Sequence, residues 1–99
     1  MGIKHFVLIY EFGEDFLTRR GAFRGEHLAL ARAAASRGEL VLGGALVGEA
    51  SGLLVFTGES ADVAERFARV DPYVLHGVVE RYRVREWVTV VGRDALSSV

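Results

Sequence analysis

The first apolar segment of the chain has hydrophobic side chains at consecutive positions rather than at alternate ones. From Lys4 to Glu11 the residue types are typical of a β-strand, and both faces of that strand are apolar. One face carries Phe6, Leu8 and Tyr10, and the other carries Val7 and Ile9. A strand of this kind needs cover on both sides. The chain must therefore build a sheet that is covered by helices on one face and by a further layer on the other.

The rest of the chain alternates between helical and strand patterns. A helix with apolar positions from Phe16 to Ala34 ends near Gly38, and Ser60 is a plausible N-cap for a second helix with Val63, Phe67 and Val70 on its apolar stripe. Further strands are predicted at Glu39 to Val47, Leu53 to Thr57 and Gly77 to Val91, with a turn from Gly48 to Gly52. The order strand, helix, strand, strand, helix, strand predicts an α+β, ferredoxin-like βαββαβ fold.

In that plan both helices cover one face of a four-stranded antiparallel sheet, and the other face stays open. The first three predicted strands carry apolar side chains on that open face as well, which is more than a monomer normally exposes. We therefore expect a homodimer, or a higher oligomer built from it, in which two sheets pack face to face. We also expect this pairing to enclose a chamber bordered by His27.

Length and composition limit the functional classes. The 99 residues suit one domain, which we expect at residues 1–92, followed by a C-terminal tail at 93–99 that orders against a partner. The balance of 12 Lys and Arg against 13 Asp and Glu lacks the basic footprint of nucleic-acid or anionic-membrane binding. No apolar run approaches the roughly 20 residues of a membrane span. The lack of cysteine excludes thiolate chemistry and makes a cytoplasmic location the default expectation.

One histidine stands out among the titratable residues. His27 lies between Phe23 and Ala31 on the apolar stripe of the first predicted helix, where it is desolvated and needs a hydrogen-bond partner. It is either a hydrogen-bonded core histidine or a catalytic one that gains and loses a proton near neutral pH. The catalytic interpretation requires an orienting carboxylate. Asp71, before Pro72 at the end of the second helix, is the best candidate, although a turn residue there is also expected.

Three further residues admit two interpretations each. Arg24 lies one helical turn before His27, so it either holds an acidic group of a substrate or pairs with a nearby glutamate. Tyr73 and Trp87 either line a pocket or pack at a dimer seam.

The remaining polar residues give weaker signals. Three arginines share one face of the last strand and either attract anionic ligands or form a solvated edge: Arg81, Arg83 and Arg85. The histidines lie on a strand, on a helix and in a loop, without the spacing of metal ligands: His5, His27 and His76. We therefore expect neither a metal nor another cofactor.

Several short motifs occur in combination along the chain. They are Arg24-x-x-His27-Leu28, Gly38-x-Leu40, Gly43, and Asp71-Pro72-Tyr73-x-x-x-Gly77-Val78-x-Glu80. In this combination the chain resembles the YciI-like (YCII-related) family of small single-domain proteins. The resemblance implies a dimeric α/β-barrel fold related to muconolactone isomerases, with His27 and Asp71 as the active-site pair. For a few relatives it also implies elimination of chloride from chlorinated hydroxyquinol-type compounds without a cofactor.

Together these observations predict a cofactor-independent small-molecule enzyme of the lyase or isomerase type. In this hypothesis His27 transfers a proton and Asp71 fixes its tautomer, while Arg24 and Tyr73 bind a small anionic or phenolic substrate. The alternative is a non-catalytic dimeric module that binds a small molecule or another protein and keeps His27 as a buried, hydrogen-bonded residue. The distance between His27 and Asp71, and the access of both to a cavity, distinguish the two.

Overall fold

The computed structural model describes residues 2–97, so the last two residues of the expected tail lie outside the described part. It contains four strands, β1 (Lys4–Phe12), β2 (Leu40–Ala45), β3 (Ser51–Gly58) and β4 (Val79–Trp87). The helices are α1 (Phe16–Arg19), α2 (Arg24–Ser36), α3 (Asp62–Val70) and α4 (Pro72–Leu75), and a 3₁₀ turn (Arg20–Ala22) joins α1 to α2.

The four strands form one antiparallel sheet in the order β2-β3-β1-β4. The hairpin between β2 and β3 forms as the short Gly-rich turn predicts, and β1 takes a central position between β3 and β4. This order and connectivity confirm the ferredoxin-like α+β fold, which is the architecture of one subunit of a dimeric α/β-barrel.

The core lies between the sheet and the helices. The even-numbered residues of β1, which are Phe6, Leu8 and Tyr10, are buried on this face, as the alternation of side chains predicts. They pack with Phe56 of β3 and Phe67 of α3, whose rings lie 5.3 Å apart between centroids. The helix-covered face therefore holds most of the buried aromatic side chains.

The first helical region is divided in a way that the sequence pattern did not predict. Instead of one helix, the chain forms α1, the 3₁₀ turn and then α2. α2 ends where predicted, because Gly38 adopts a φ of 80° that suits a glycine just after a helix.

The second helical region also differs from the prediction in two details. The residue that caps α3 is Ala61 rather than Ser60, whose hydroxyl accepts only a long 3.3 Å hydrogen bond from the Asp62 amide. Val70 is 55% exposed, because the buried stripe of α3 runs through Val63, Ala64, Phe67 and Ala68 and leaves the last residue at its margin.

The last strand is shorter than predicted, because it ends at Trp87 and the chain then turns over the open face of the sheet. The Thr89 hydroxyl lies 2.8 Å from Nδ1 of His5 on that face, and it accepts a hydrogen bond from the Leu96 amide over 3.0 Å. Val88 and Val90, predicted to be in the strand, lie beyond it and are exposed. The residues after the strand thus contact their own chain, and the domain boundary at residue 92 stays a prediction.

The open face keeps substantial apolar surface. Val7, Ile9 and Leu53 are half-buried there, whereas Leu42 is 64% and Trp87 is 51% exposed. Within residues 2–97 no helix is both long enough and apolar enough to cross a membrane.

Candidate functional site

The site is built around a carboxylate at the junction of two helices. Asp71 has extended backbone angles between α3 and α4, because the following Pro72 disfavours helical geometry in the residue before it. Its side chain caps α4, since Oδ1 accepts a hydrogen bond of 3.0 Å from the Tyr73 amide. The side chain is fully buried, with 0% exposure. A turn residue would be solvated, so burial distinguishes Asp71 from an ordinary helix-ending aspartate.

Two side chains complete the hydrogen bonding of this carboxylate. The hydroxyl of Tyr10 donates to Oδ2 over 2.7 Å, and Nδ1 of His27 lies 2.9 Å from Oδ2 and 3.1 Å from Oδ1. Within the described part of the chain, the His27 imidazole is the one basic side chain in contact with this carboxylate. The buried charge of Asp71 is therefore balanced by hydrogen bonds and by one titratable ring.

The contact with Asp71 fixes which nitrogen of His27 carries the proton. A carboxylate accepts hydrogen bonds and does not donate them, so the neutral imidazole holds its hydrogen on Nδ1. Nε2 then has a free lone pair, and no residue of the described range hydrogen-bonds to it. The His27 ring stacks on Tyr73, with centroids 4.0 Å apart and planes at 7°, and its side chain is 14% exposed. The ring is held rigidly with one nitrogen available.

Tyr10 acts in this site as a permanent hydrogen-bond donor. Burial, together with the neighbouring negative charge of Asp71 and the hydrogen bond to it, raises the pKa of Tyr10 well above its usual value. The hydroxyl therefore keeps its proton at any pH at which the protein is folded under ordinary conditions. Its hydrogen bond holds the Asp71 carboxylate in place. Of the two side chains that contact this carboxylate, His27 is therefore the one whose protonation state can change.

His27 opens onto a cavity of about 310 Å³ between the helices and the β2–β3 side of the sheet. Its walls comprise Tyr10, Phe12, Phe16, Arg20, Arg24, His27, Leu28, Ala31, Leu40, Gly43, Gly44, Ala45, Gly52, Leu54 and Tyr73. The cavity lies on the helix-covered side of the sheet, to which Tyr10 and Leu54 point. The expectation that two sheets enclose the chamber beside His27 is therefore wrong, because α2 points this side chain away from the open face.

The structure brings together the four residues that the sequence singled out as a site. His27 and Asp71 are in hydrogen-bond contact, and Tyr73 and Arg24 line the same cavity. Arg24 has no ion-pair partner among residues 2–97, so the predicted pairing with a glutamate is not found there. Tyr73 is buried against His27 rather than placed at a dimer seam. Their roles in catalysis and binding stay predictions.

The other sequence candidates lie elsewhere. Trp87 and the three arginines of β4 are on or beside the open face, away from His27. Arg81 forms an ion pair of 3.3 Å with Glu11 and is exposed. Within the described residues, no three His, Asp or Glu side chains are grouped closely enough to hold a metal ion.

Two polar residues of the site, Tyr10 and Arg20, were not predicted as site residues from the sequence. Tyr10 lies on an apolar face of the first predicted strand, and a tyrosine on a buried strand face needs a partner for its hydroxyl. This requirement is the sequence feature that could have indicated a polar role for Tyr10. Arg20 lines the cavity from the 3₁₀ turn, and nothing in its local sequence distinguishes it from the neighbouring Arg19.

Fold and site together define a class: small ferredoxin-like proteins with a buried histidine–aspartate pair beside a cavity on the helical side of the sheet. A sequence profile of the YCII-related domain matches residues 4–88. The chain therefore belongs to the YCII-related family, as the sequence motifs indicated.

A solved structure supports the fold. The 5-chloro-2-hydroxyhydroquinone dehydrochlorinase from Burkholderia phenoliruptrix, determined in complex with 2,5-dihydroxybenzoquinone, superposes with a TM-score of 0.75 at 20% sequence identity. The match covers 92% of this chain and 98% of that one. No curated protein sequence matches the chain significantly.

Proposed function

We propose that the protein is a cofactor-independent small-molecule enzyme of the lyase or isomerase type. In this proposal His27 transfers a proton to and from a small anionic or phenolic substrate that occupies the cavity. The observation that carries the proposal is the 2.9 Å contact between His27 Nδ1 and the buried Asp71 carboxylate, in a ring that lines the cavity and whose Nε2 has no hydrogen-bond partner among residues 2–97.

The first step follows from the tautomer of His27. Nε2 accepts a proton from an acidic carbon or hydroxyl of the substrate, and the imidazolium so formed is stabilised by the negative charge of Asp71. The Tyr10 hydroxyl and the Tyr73 amide hold the carboxylate, so the charge partner does not have to reorganise during transfer.

The fate of the electron pair separates the two reaction types. In an elimination, the pair left by the proton forms a double bond while a leaving group on the adjacent carbon departs as an anion, and the proton on Nε2 passes to solvent. In an isomerisation, the same proton returns to a different atom of the delocalised anion. Neither route needs an electron acceptor or a nucleophile. Arg24 lies at the cavity wall, where its guanidinium binds and orients an anionic oxygen of the substrate.

The structural neighbour supports the elimination route. Its name describes a dehydrochlorinase, and its structure contains a dihydroxybenzoquinone, a planar oxygenated ring. The aromatic walls of this cavity, formed in part by Phe12, Phe16 and Tyr73, suit a ring of the same general shape.

Replacement of the base tests the proposed function. Wild-type protein is screened against halogenated quinols and aromatic lactones, and a compound that is turned over is then given to His27→Asn. We expect the rate to fall at least about 100-fold, because a positioned proton-transfer group contributes that much. His76→Asn is the matched control, since His76 is exposed and stacks on Phe23 outside the cavity. Unchanged turnover by a folded His27→Asn protein would contradict the proposal.

The non-catalytic alternative makes a different prediction in the same experiment. A binding module would show no turnover of any compound in the screen, and His27→Asn would alter stability or ligand affinity alone. The partial exposure of His27 to the cavity favours the enzyme, because a purely structural core histidine needs no free nitrogen facing open space.

We also propose that the open sheet face mediates a homodimer in the cytoplasm. Leu42 and Trp87 are large apolar side chains that are more than half exposed on or beside this face, next to half-buried Val7, Ile9 and Leu53. Light scattering should give twice the 10.8 kDa chain mass, and Ile9→Glu should reduce it to that of one chain. A monomeric wild-type protein at micromolar concentration would contradict this assembly.

A further inference from the structure

The cavity beside His27 has an unbalanced charge. Arg20 and Arg24 line it, and no carboxylate among residues 2–97 does. Asp71 is not part of the lining and is hydrogen-bonded to Tyr10, His27 and the Tyr73 amide. Neither arginine forms an ion pair with any residue from 2 to 97; Arg20 instead has its guanidinium 5.9 Å from the centre of the Phe16 ring. Both guanidinium groups are thus available to a ligand.

Four of the five other arginines of the helical layer have partners, and the fifth, Arg32, has none among residues 2–97 but is exposed outside the cavity. Arg37 bonds Glu39 over 3.0 Å, and Arg66 and Arg69 each lie 3.3 Å from Asp62. Arg19 donates to the backbone carbonyls of residues 76 and 77. Two arginines close together in sequence, both on one cavity wall and both lacking such partners, are the pattern expected where the partner is an anionic ligand.

The rest of the wall indicates the shape of that ligand. Phe12 and Phe16 stack with centroids 4.8 Å apart and planes at 11°, and His27 and Tyr73 form the second stacked pair. All four rings line the cavity. Its volume of about 310 Å³ is at the lower end for small-molecule sites, which span about 300 to 1,000 Å³. These dimensions suit one planar ring with a small substituent.

We propose, building on the proposed function, that Arg20 and Arg24 form a carboxylate clamp and that the substrate is a planar monocyclic carboxylate. The planar guanidinium fork matches the two oxygens of a carboxylate, and the ring occupies the space between the aromatic walls. A ring whose carboxylate is bound by the two arginines lies in the same cavity as His27. The two arginines therefore determine specificity, and His27 carries out the chemistry.

The clamp is tested by binding alone, with benzoate as the probe and benzamide as its neutral analogue of the same shape. Calorimetry should show benzoate binding to the wild type at least about tenfold more tightly than benzamide. Arg20→Gln and Arg24→Gln should each lower the affinity for benzoate by at least about tenfold and leave the affinity for benzamide nearly unchanged. Arg32→Gln is the matched control, because it removes an equal charge from α2 at an exposed position outside the cavity. It should bind benzoate like the wild type.

The outcomes separate this inference from the proposed function. Equal affinities for benzoate and benzamide would overturn the clamp, and so would a loss of benzoate affinity in Arg32→Gln as large as that in Arg20→Gln and Arg24→Gln. Either result would do so even if His27-dependent turnover of a neutral quinol is found. Inorganic phosphate binding as tightly as benzoate would also overturn it, since the ring would then contribute nothing. His27→Asn should still bind benzoate more tightly than benzamide while its turnover falls at least about 100-fold. Clamp-dependent binding with no turnover of any cyclic carboxylate would support the clamp and count against the enzyme.

Discussion

Tyr10 and Asp71 form a hydrogen bond of 2.7 Å between two side chains that are almost fully buried, at 1% and 0% exposure. This bond joins the central strand of the sheet to the junction between α3 and α4, across 61 positions of sequence. It fixes the carboxylate that in turn orients His27. The core and the candidate site thus share one polar network.

The first prediction concerns stability. Tyr10→Phe removes one donor from a buried carboxylate, so the free energy of unfolding should fall by about 1.5 to 3 kcal/mol. Tyr82→Phe is the control: Tyr82 is the register partner of Tyr10 on β4, and no hydrogen bond of its hydroxyl occurs within the described residues. Denaturant unfolding should show a much smaller change for that variant. Equal losses would mean that the hydroxyl of Tyr10 contributes nothing specific.

The second prediction concerns alkaline pH. The raised pKa of Tyr10 means that the native state keeps this proton while the unfolded chain releases it above about pH 10. Above that pH the unfolded state binds fewer protons, so the free energy of unfolding falls with rising pH, by at most about 1.4 kcal/mol per pH unit from this group. The stabilisation is fully present below pH 10.

This alkaline effect is checked by comparing wild type with Tyr10→Phe. The difference between their unfolding free energies should shrink as the pH rises from 9 to about 11. Tyrosinate absorbance of the wild type should report one residue that ionises only together with unfolding. If the unfolding free energies of the two proteins change in parallel over this pH range, the pKa of Tyr10 is not raised in the native state.

The third prediction separates the charge of Asp71 from its capping role. Asp71→Asn keeps an oxygen that can accept from the Tyr73 amide, so the protein should fold, but it cannot stabilise an imidazolium on His27. Turnover should fall by about 100- to 10,000-fold. Asp94→Asn, at an exposed aspartate paired with Arg93, should be neutral. Full activity of the Asp71 variant would show that proton transfer does not depend on this carboxylate.

The fourth prediction tests how α3 packs on the sheet. A Cβ at Gly58 would lie 2.8 Å from Cγ1 of Val63, whose branched side chain is buried and stiff in a helix. Gly58→Ala should therefore cost about 1 to 3 kcal/mol of unfolding free energy. Gly44→Ala is the comparison, because a Cβ there meets nothing within 4 Å. If thermal or denaturant unfolding shows the two variants to be alike, this close approach does not exist in solution.

Much of the fold could be predicted from local patterns. The alternation in β1 and the helical spacing of Val63 and Phe67 depend on neighbouring residues, so both could be deduced before any tertiary contact was known. The end of β4 was placed too late because Val88 and Val90 continue the alternation after the strand hydrogen bonds stop. Residue type alone does not show where a strand leaves its sheet.

Only part of the site could be predicted, because only some of its residues stand out in their local sequence. His27 was identifiable because a histidine on an apolar stripe is unusual, and Asp71 because it precedes the single proline. Tyr10 on a buried strand face needs a partner for its hydroxyl, but that partner lies 61 positions away in the sequence. Nothing in the local sequence of Arg20 reveals its place at the cavity. The position of the cavity depends on how α2 crosses the sheet, which a one-dimensional pattern does not encode.

The central claim is that Asp71 holds the proton of neutral His27 on Nδ1 and leaves Nε2 as the base. Nitrogen-15 NMR of the histidine rings, recorded across neutral pH, measures this directly. We expect a protonated Nδ1 and an unprotonated Nε2 for neutral His27, and loss of that preference in Asp71→Asn. A neutral His27 with its proton on Nε2 in the wild type would contradict it.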